Sequence, residues 1–426
     1  MNPYTSLRKI ISPFYRYLEM RYKMMIYNHR KDGIRTKIRN KKKIRVAFLT
    51  VNLPMWKYDR LFRLLLDDPL FEPLIVTMPR PMFNLEAEKD EQLRLLQYCR
   101  ELGYPVIPGY DYDKNIFNGA DIINADIVFF SQPYNAAYKE HKIEAFWDKS
   151  LFCYVPYCIT IEKANKLSNM LLKNICEYVF CETEEIQAIE SKMLTNKAVN
   201  FKIAGFVSAE QLAQHEESDE YEWKDVSHNR MRVIWAPHHS ILPTDVLNYS
   251  TFLIVADDML KIAEEYSDRI DFCFKPHPGL KAKLYDLPDW GKEKTDNYYS
   301  KWSSMPNTSV NQGEYMALFR SSDALIHDCS SFSVEYILTG KPVLYVTKSD
   351  HMEYMNQLGA SCYNMHYKGA DAKAIRHFIE DVVINGNDTM RTLREDFVRT
   401  RLIPSGSKST SEIIHQYLSD IIRVSE

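Results

Sequence analysis

Apolar and polar positions along the chain predict strands that alternate with helices. Short apolar runs at 44–51 and 71–77 indicate buried strands. The segments after them, 56–66 and 86–102, carry apolar residues at helical spacing. Because strand and helix alternate, the sheet should be parallel and doubly wound, which predicts an α/β fold.

The same alternation continues through the first half of the chain. Further buried strands are predicted at 105–107, 125–130, 151–155, 178–180 and 202–206, and the last of these closes the first domain. No Gly-x-Gly-x-x-Gly motif is present, so the sequence does not support a dinucleotide fingerprint.

In the second half, three predicted strands end in polar loops that suit a phosphate. The loops are Pro237-His238-His239-Ser240, Lys275-Pro276-His277-Pro278 and Asp328-Cys329-Ser330-Ser331. Ligands of open α/β sheets bind at the carboxyl ends of the strands. Lysine and histidine can form charge-assisted hydrogen bonds with phosphate, and a helix that starts after paired serines presents free N–H groups. These loops therefore predict a phosphate site.

The second half also contains two predicted helices and a predicted irregular loop. A long helix is expected from Asp245 to about residue 266, capped by Thr244. Residues 281–310 hold few periodic apolar positions and are expected to form an irregular loop anchored by Trp290 and Trp302. A last helix should begin at Ser409, where Glu412 completes a capping box.

A length of 426 residues exceeds one hydrophobic core and predicts two domains. We expect a basic helical segment (1–43), an N-terminal Rossmann-like acceptor domain (44–210), an acidic linker (211–228), a C-terminal Rossmann-like nucleotide-donor domain (229–404) and a C-terminal helix (405–426). With 45% apolar and 26% charged residues, the chain has the composition of a soluble globular protein.

Cysteine usage and hydropathy indicate a cytoplasmic protein. The eight cysteines include no Cys-x-x-Cys pair, and neither a secretory signal nor a zinc ribbon is visible. No run approaches 18 consecutive apolar residues, so no membrane-spanning helix is expected.

Charge is distributed unevenly along the chain. The first 43 residues contain thirteen Lys and Arg against two acidic residues, a net charge of +11, while the whole chain carries −3. Apolar positions at helical spacing (Ile10, Ile11, Phe14, Tyr15, Leu18, Tyr22 and Met25) make this a basic amphipathic helix. Two interpretations stand side by side: binding to an anionic membrane surface, at the inner face of the cell membrane, or packing on the body of the protein. The acidic body argues against a nucleic-acid partner.

The three polar loops carry a family resemblance. Together with Ala236-Pro237 and with Gly340-Lys341-Pro342-Val343, they resemble the C-terminal half of the CDP-glycerol glycerophosphotransferases, two-domain (GT-B) enzymes of teichoic-acid and capsule synthesis. The resemblance covers residues 230–420, and residues 44–207 only in layout. It implies two Rossmann-like domains that face a cleft, with donor pyrophosphate contacts for His277, Ser330 and Ser331.

This chain departs from the family pattern in two places. His238-His239-Ser240 stands where the family has Thr-aromatic-Arg, and the Trp-His-Gly-Thr-Pro motif of the polymerase members is absent; Tyr154–Cys158 is the nearest segment. Three hypotheses therefore stay open. The first is metal-independent transfer of glycerol or ribitol phosphate from a CDP-alditol to a cell-envelope or capsular polymer. The second is a sugar-nucleotide glycosyltransferase acting on a polysaccharide or lipid-linked acceptor, and the third is a non-catalytic scaffold.

If the chain transfers a group from a nucleotide-linked donor, roles for single residues follow. His277 and His238 are the catalytic candidates, and Lys275, Ser330, Ser331 and His239 are predicted to hold the donor. Glu335 is expected either to accept from ribose hydroxyls or to lie exposed on its helix. Trp56 and Tyr134 are predicted on the acceptor side, by stacking on a sugar or by packing in the core. No general base stands in a convincing motif, although His141 and Asp59 are available.

Metal ions and cofactors are not expected. Asp111-Tyr112-Asp113 has the spacing of a metal-binding Asp-x-Asp motif, but it lies in a polar loop and a solvated turn is the preferred interpretation.

Overall fold

The computed structural model describes residues 3–81, 85–163, 168–213, 221–225, 229–245, 248–313, 315–349, 351–403 and 406–423, with side chains for all of these except 3–14, 87, 211 and 213. The chain forms two compact units. Unit 1 comprises Met1–Tyr157, Ala164–Val207 and Gly406–Glu426, and unit 2 comprises Cys158–Lys163 and Ser208–Ser405.

Unit 1 is built on a seven-stranded parallel sheet. Its strands are β1 (Ile44–Thr50), β2 (Phe71–Thr77), β3 (Val106–Pro108), β6 (Ile127–Phe130), β7 (Leu151–Tyr154), β8 (Tyr178–Cys181) and β9 (Phe201–Ile203), in the order β3-β2-β1-β6-β7-β8-β9. The short strands β4 (Tyr110–Asp111) and β5 (Ile116–Phe117) form a separate antiparallel pair. The predicted parallel α/β sheet is confirmed.

Helices separate these strands in sequence. They are α1 (Pro3–Arg39), α2 (Asp59–Asp67), α3 (Leu85–Glu101), α4 (Ala120–Ile123), α5 (Ile143–Phe146), α6 (Leu171–Ile175) and α7 (Glu184–Met193). The helix α8 (Val207–Ala213) begins where the first unit ends. Asp111 accepts hydrogen bonds from the N–H groups of Asp113 and Lys114 and pairs with the Lys114 ammonium, as in a solvated turn.

The second half of α1 packs on unit 1. Tyr27 is fully buried, stacks on Phe152 with ring centroids 4.9 Å apart and donates to the Ser150 carbonyl. Lys31 and Arg35 pair with Glu177, and, although burial opposes them, they hold the pKa of this carboxyl below its usual value. Much of the basic charge of α1 is therefore matched to the acidic surface beneath it.

The outer side of α1 is different. Tyr15, Tyr22 and Met25 are each at least 60% exposed, and Leu18 is 48% exposed. Packing on the body is thus observed for one face only. The side chains of Ile10, Ile11 and Phe14 lie outside the described part of the chain.

The C-terminal helix α17 (Thr410–Ile422) belongs to unit 1. It packs against α2 and α1. Arg60 pairs with Glu412 at 3.3 Å, and His415 lies 3.0 Å from Asp68. The predicted capping box is present, because the Ser409 side chain and the Glu412 carboxylate each accept from the other residue's N–H.

Unit 2 repeats the same plan with a six-stranded parallel sheet. Its strands are β10 (Met231–Ala236), β11 (Ile270–Phe274), β12 (Thr308–Val310), β13 (Ala324–His327), β14 (Val343–Val346) and β15 (Tyr367–Gly369), in the order β12-β11-β10-β13-β14-β15. In both units the first three strands in sequence run from the centre of the sheet to one edge. The chain then returns to the centre, and the next strand pairs with the other side of the first. That is the Rossmann order. Two Rossmann-like domains are thus confirmed.

The helices of unit 2 include two that the sequence analysis placed in a loop. They are α9 (Phe252–Glu265), α10 (Leu280–Tyr285), α11 (Gly291–Ser304), α12 (Met316–Ser321), α13 (Phe332–Glu335), α14 (Gln357–Asn364), α15 (Ala372–His377) and α16 (Arg391–Phe397). The irregular loop predicted for 281–310 is wrong. The buried face of α11 consists of Thr295, Tyr298, Tyr299 and Trp302, which have helical spacing but little aliphatic character.

Two further expectations need correction. The helix predicted from Asp245 begins only at Phe252, because Ser250 and Thr251 bind a carboxylate from β13's loop instead of continuing a helix. Residues 221–225, placed in the acidic linker, pack on unit 2: Trp223 is buried and donates to Ser321 at 2.8 Å. Residues 214–220 of that linker lie outside the described part.

Within the described residues, no helix has both the length and the apolarity needed to cross a bilayer.

Candidate functional site

The three polar loops of unit 2 lie at one edge of the sheet. β10 is the central strand, with β11 on one side and β13 on the other. In register, Trp235 is opposite Phe274, and Ala236 is opposite His327. Because all three strands are parallel, the loops that follow them leave the sheet side by side, as expected for a ligand site of this fold.

The Asp328 carboxylate ties two of these regions together. Its Oδ1 accepts the His238 N–H at 2.6 Å, and its Oδ2 accepts the N–H of Thr251 at 2.6 Å. The hydroxyls of Thr251 and Ser250 also donate to Oδ2, at 2.9 and 3.3 Å. One buried side chain thus holds the loop after β10 and the start of α9 against the end of β13.

Asp328 keeps its charge near neutral pH. Burial raises its pKa to about 6, while the donors around it act in the opposite direction. At pH 7 the group is therefore an ionised acceptor, and hydrogen bonds to an ionised acceptor are the stronger kind. The motif around Asp328 does not by itself predict this role. The polar pair Ser250-Thr251 before an apolar helix is the signal in the sequence that points to it.

Three imidazoles cluster at the same edge. Ring centroids lie 4.4 Å apart for His238 and His239, 4.1 Å for His239 and His277, and 5.0 Å for His238 and His277. The structure therefore brings together residues that stand 38 positions apart in the sequence. His238 and His239 are half-buried, and His277 is exposed on one side.

Backbone hydrogen bonds determine the tautomers of two of these rings. The Ser240 N–H donates to His238 Nδ1 at 3.2 Å, and the Gly279 N–H donates to His277 Nδ1 at 3.0 Å. A nitrogen that accepts an N–H carries no proton itself, so in the neutral rings the proton sits on Nε2. Both rings are therefore hydrogen-bond donors on the side away from the backbone.

The environment keeps the rings neutral. Burial, followed by the neighbouring His239 and Lys283, lowers the pKa of His238 to about 3. The pKa of His277 is lowered by burial and by the adjacent imidazoles and lysines. In this state neither ring has a nitrogen free to accept a proton, so His238 and His277 suit stabilisation of negative charge better than proton transfer. The tautomer of His239 is not set in this way, because its buried Nδ1 has no hydrogen-bond partner within the described residues.

The three rings are near enough to one another to be tested as a metal site. One ligand nitrogen from each lies within 4.8 Å of the others. Metal-bound histidines normally donate their second N–H to an acceptor. Here the second nitrogens of His238 and His277 face backbone N–H donors, which is the opposite arrangement. Lys283, paired with Asp245, adds positive charge nearby. The donor set fits an anion better than a cation.

The serine pair lies half-buried at the end of β13. The hydroxyls of Ser330 and Ser331 have no hydrogen-bond partner in the described part of the chain, and Ser331 does not cap α13 with its side chain. The helical turn continues as a 3-10 helix (Tyr336–Thr339) that ends at Gly340, whose φ of 73° is left-handed. The two hydroxyls are thus available to a ligand.

Lys275 and Glu335 are both buried, which differs from their predicted positions at the ligand-facing edge. The Lys275 ammonium is buried and donates to the Gly313 carbonyl at 3.0 Å. Glu335 is 1% exposed and accepts from the Tyr315 hydroxyl at 2.6 Å, so the exposed-helix alternative for this residue is wrong. Both side chains therefore form hydrogen bonds inside unit 2, with Gly313 and Tyr315.

The family motif Lys341-Pro342 has a structural explanation. The Lys341 ammonium is bound by the carbonyls of Phe319, Arg320 and Ser322 at the end of α12. Burial lowers the pKa of Lys341 to about 8. A lysine in this position neutralises the negative end of a short helix beneath the serine turn.

The two residues predicted on the acceptor side, Trp56 and Tyr134, lie in different environments. Trp56 is 4% exposed and packs edge-on against Phe48 and Phe62, so the prediction that it stacks on a sugar is wrong and the core interpretation holds. Tyr134 is 55% exposed, with its hydroxyl 3.3 Å from that of Tyr157. The general-base candidate His141 is buried against the Asn118 carbonyl, which lies 3.0 Å away.

We expect Asp328→Asn to lower the free energy of unfolding by about 2–4 kcal/mol, because one amide NH₂ group would face backbone N–H donors. Urea denaturation at pH 7.5 measures this change. Asp257→Asn, at an exposed position of α9, serves as the control and should change stability by less than about 0.5 kcal/mol. Equal stability of the two variants would show that Asp328 does not hold these loops together.

Comparisons with known proteins agree with this architecture. Residues 214–396 match the family model of CDP-Glycerol:Poly(glycerophosphate) glycerophosphotransferase. No curated protein sequence matches the chain. Among solved structures, S. aureus MnaA in complex with UDP is similar over 88% of this chain and 96% of its own, at 11% identity and a TM-score of 0.58.

Two other structures show the same likeness of fold. A putative UDP-N-acetylglucosamine 2-epimerase from Listeria monocytogenes has 12% identity and a TM-score of 0.57, covering 89% of this chain and 96% of its own. The UDP-GlcNAc 2-epimerase from Neisseria meningitidis bound to UDP-GlcNAc has 14% identity and a TM-score of 0.54, covering 88% and 99%. The chain therefore shares the fold of these proteins, with two Rossmann-like domains, and its resemblance to the CDP-glycerol glycerophosphotransferase family is confirmed over residues 214–396.

Proposed function

We propose that this enzyme transfers a polyol phosphate, glycerol or ribitol phosphate, from a CDP-linked donor to a cell-envelope or capsular polymer, without a metal ion. The observation that carries the proposal is the edge of unit 2, where neutral imidazole donors and two free serine hydroxyls follow neighbouring strands. The match to the glycerophosphotransferase family over these same loops supports the CDP-alditol as donor.

In the proposed reaction, a hydroxyl oxygen of the acceptor attacks the phosphorus that carries the polyol. The bond from that phosphorus to the bridging oxygen breaks, and CMP leaves with the electron pair. The acceptor's proton passes to a base or to water. His238 and His277 donate from Nε2, and Ser330 and Ser331 donate from their hydroxyls, to the phosphate oxygens on which charge develops. Fixed donors of this kind stabilise the leaving group because they need no reorganisation during the reaction.

Neutral donors also bear on metal independence. The diphosphate charge would be met by N–H and O–H groups, and by the positive potential of Lys275 and Lys283, rather than by a cation that bridges the phosphates. Both lysines already have protein partners, the Gly313 carbonyl and Asp245. They would act through space and leave the direct contacts to the imidazoles and serines.

The alternative is a sugar-nucleotide glycosyltransferase of surface polysaccharide synthesis. The absent Trp-His-Gly-Thr-Pro motif favours it, because that motif supplies the presumed acceptor-activating histidine of the polymerase members. UDP-containing relatives of the same fold make a nucleoside-diphosphate sugar a reasonable second donor. A scaffold without turnover would bind nucleotide and release none.

The experiment is a donor panel with envelope polymer or lipid-linked acceptors, in which the released nucleotide is identified. CMP release from CDP-glycerol or CDP-ribitol supports the proposal, whereas UDP or GDP release from a nucleotide sugar selects the alternative. Nucleotide binding without any release would leave only the scaffold. EDTA in a parallel reaction should not change the rate.

In the same assay, His277→Ala should lower turnover by about 100-fold or more, the usual effect of removing one fixed donor to a developing charge. Removal of the Ser331 hydroxyl by Ser331→Ala should also lower turnover. His377→Ala, an exposed histidine of α15, is the matched control and should keep full activity. A His277→Ala enzyme with unchanged turnover would contradict the assigned role.

Donor affinity should not depend on histidine titration. Since the pKa values of His238 and His277 are lowered, both rings are already neutral at pH 6 and stay neutral to pH 8. The Kd for CDP-glycerol, whose diphosphate does not titrate in this range, should change by less than about two-fold. Rings with an ordinary pKa near 6.5 would become cationic as the pH falls and tighten binding on the order of five-fold. Calorimetric titration at pH 6, 7 and 8 distinguishes the two outcomes.

We also propose that the exposed side of α1 rests on an anionic membrane surface at the inner face of the cell membrane. Its aromatic and apolar side chains Tyr15, Leu18, Tyr22 and Met25 are exposed on the face opposite the packed one, and Arg21 lies exposed beside them.

Replacing Tyr15 and Tyr22 together by Ser should reduce binding to vesicles with anionic lipid by at least about ten-fold, because two interfacial aromatic anchors are lost. Co-sedimentation measures the bound fraction. Tyr354→Ser, a 53% exposed tyrosine of unit 2, is the control. Equal binding of the wild-type chain to anionic and zwitterionic vesicles would count against the proposal.

A further inference from the structure

The sheet of unit 1 has its own switch point, between β1 and β6, where the strand order reverses. Open α/β sheets bind ligands in the crevice at the carboxyl ends of such a strand pair. The Val51 N–H donates to Ser131 Oγ at 3.2 Å, which joins the two strand ends. Asn52, the next residue after Val51, is buried at this crevice. Its side chain therefore has its partners at the place where a ligand of unit 1 is expected.

Asn52 holds the carboxylate of Glu91, a residue of α3. The Asn52 Oδ1 accepts the Met55 N–H at 3.1 Å, and its Nδ2 donates to Glu91 Oε1 at 3.1 Å. Because Oδ1 takes an N–H, the amide has one orientation, with its NH₂ group towards the carboxylate. Glu91 is half-buried, and its Oε2 has no hydrogen-bond partner in the described part of the chain. The carboxylate is thus fixed at one oxygen and open at the other.

The surroundings of Glu91 favour its protonated form. Burial raises the pKa of this carboxyl above its ordinary value of 4.5, while Asn52, Arg80 and Arg94 act in the opposite direction and Asp90 adds to the rise. Arg94 is paired with Asp90 at 2.7 Å, so its charge is partly matched. A carboxylate with a raised pKa is a stronger base than one in water, which suits it to accept a proton.

Two other carboxyl groups near the carboxyl ends of these strands are less suited to this role. Asp59 already accepts from the Tyr104 hydroxyl at 2.9 Å and pairs with Arg63 at 3.0 Å. Glu182 follows β8 directly and is buried, and burial raises its pKa to about 8, so it carries a proton at neutral pH. Glu91 differs from both, because it combines partial exposure with a free oxygen.

We propose that Glu91 is the base of the transfer reaction, with Oε2 accepting a hydrogen bond from the attacking hydroxyl of the acceptor. As the new bond from this oxygen to phosphorus forms, the O–H bond breaks and the proton passes to Oε2. The bond from phosphorus to the bridging oxygen breaks, and CMP leaves with the electron pair. The carboxyl then loses its proton to water. This inference rests on the proposed function and deepens it by naming the proton acceptor.

Steady-state kinetics of Glu91→Gln in the transfer assay test the proposal. We expect kcat to fall at least about 100-fold, as for the loss of a general base, and the acceptor KM to change less than about three-fold. Near-UV circular dichroism and the Kd for CDP should match the wild type. Glu86→Gln, at an exposed position of the same helix, is the matched control and should keep full activity. An unchanged kcat in Glu91→Gln would overturn the assignment.

The pH dependence of kcat gives a second measurement, which also decides the matter if Glu91→Gln does not fold. Glu91 acts only when ionised, so kcat should fall as the pH drops through its pKa. Asn52→Asp keeps an acceptor for the Met55 N–H and sets a like charge beside Glu91, so the acid limb should move up by about one pH unit or more. Asp328, with a pKa of about 6, affects both enzymes equally. Acid limbs at the same pH would contradict the proposal.

The released nucleotide separates this inference from the proposed function. CMP release that Glu91→Gln leaves intact would keep the proposed function and remove Glu91 as the base. UDP or GDP release that requires Glu91 would do the reverse, because any acceptor hydroxyl must lose its proton when it attacks. A chain that releases no nucleotide from any donor would overturn both.

Discussion

The carboxylate of Asp328 is the constraint that positions the polar loops at the edge of unit 2. It is buried at the end of β13 and accepts from the backbone of His238 and of Thr251. Without an ionised acceptor there, the loop after β10 and the start of α9 would each bury an unpaired N–H, which costs about 1–3 kcal/mol per group. The position of the imidazole cluster therefore follows from a residue that itself need not touch a ligand.

Hydrogen bonds to the backbone also explain the electrostatics of this edge. Backbone N–H groups of Ser240 and Gly279 take the inner nitrogens of two histidines, so the outer nitrogens carry protons without any positive charge. Burial, together with the neighbouring imidazoles and lysines, lowers the pKa of both rings and keeps them neutral across the physiological range. Fixed neutral donors at the ends of parallel strands are suited to a diphosphate, whose own charge is constant. The nearby lysines supply potential while bound to protein partners.

Unit 1 is held together by a different balance of forces. The strongly basic helix α1 lies on an acidic surface, where Glu177 pairs with Lys31 and Arg35, and the aromatic contact of Tyr27 with Phe152 anchors it. Helix α17 returns from the end of the chain to the same unit. Part of the basic charge that suggested membrane binding is thus paired with acidic residues of unit 1. Only the outer face of α1 remains exposed and able to bind a partner.

Local periodicity and turn chemistry were enough to predict the α/β class, the positions of strands such as β2 and β13 along the chain, the capping box of α17 and the three phosphate-compatible loops. Features that depend on contacts between distant residues emerged only in the folded protein. Trp56 went to the core, α11 formed on a face of tyrosines, and Glu335 was buried against Tyr315. The tautomers of His238 and His277 belong to this second group, because a ring nitrogen's proton is set by the neighbour it meets in space, which no spacing along the chain records.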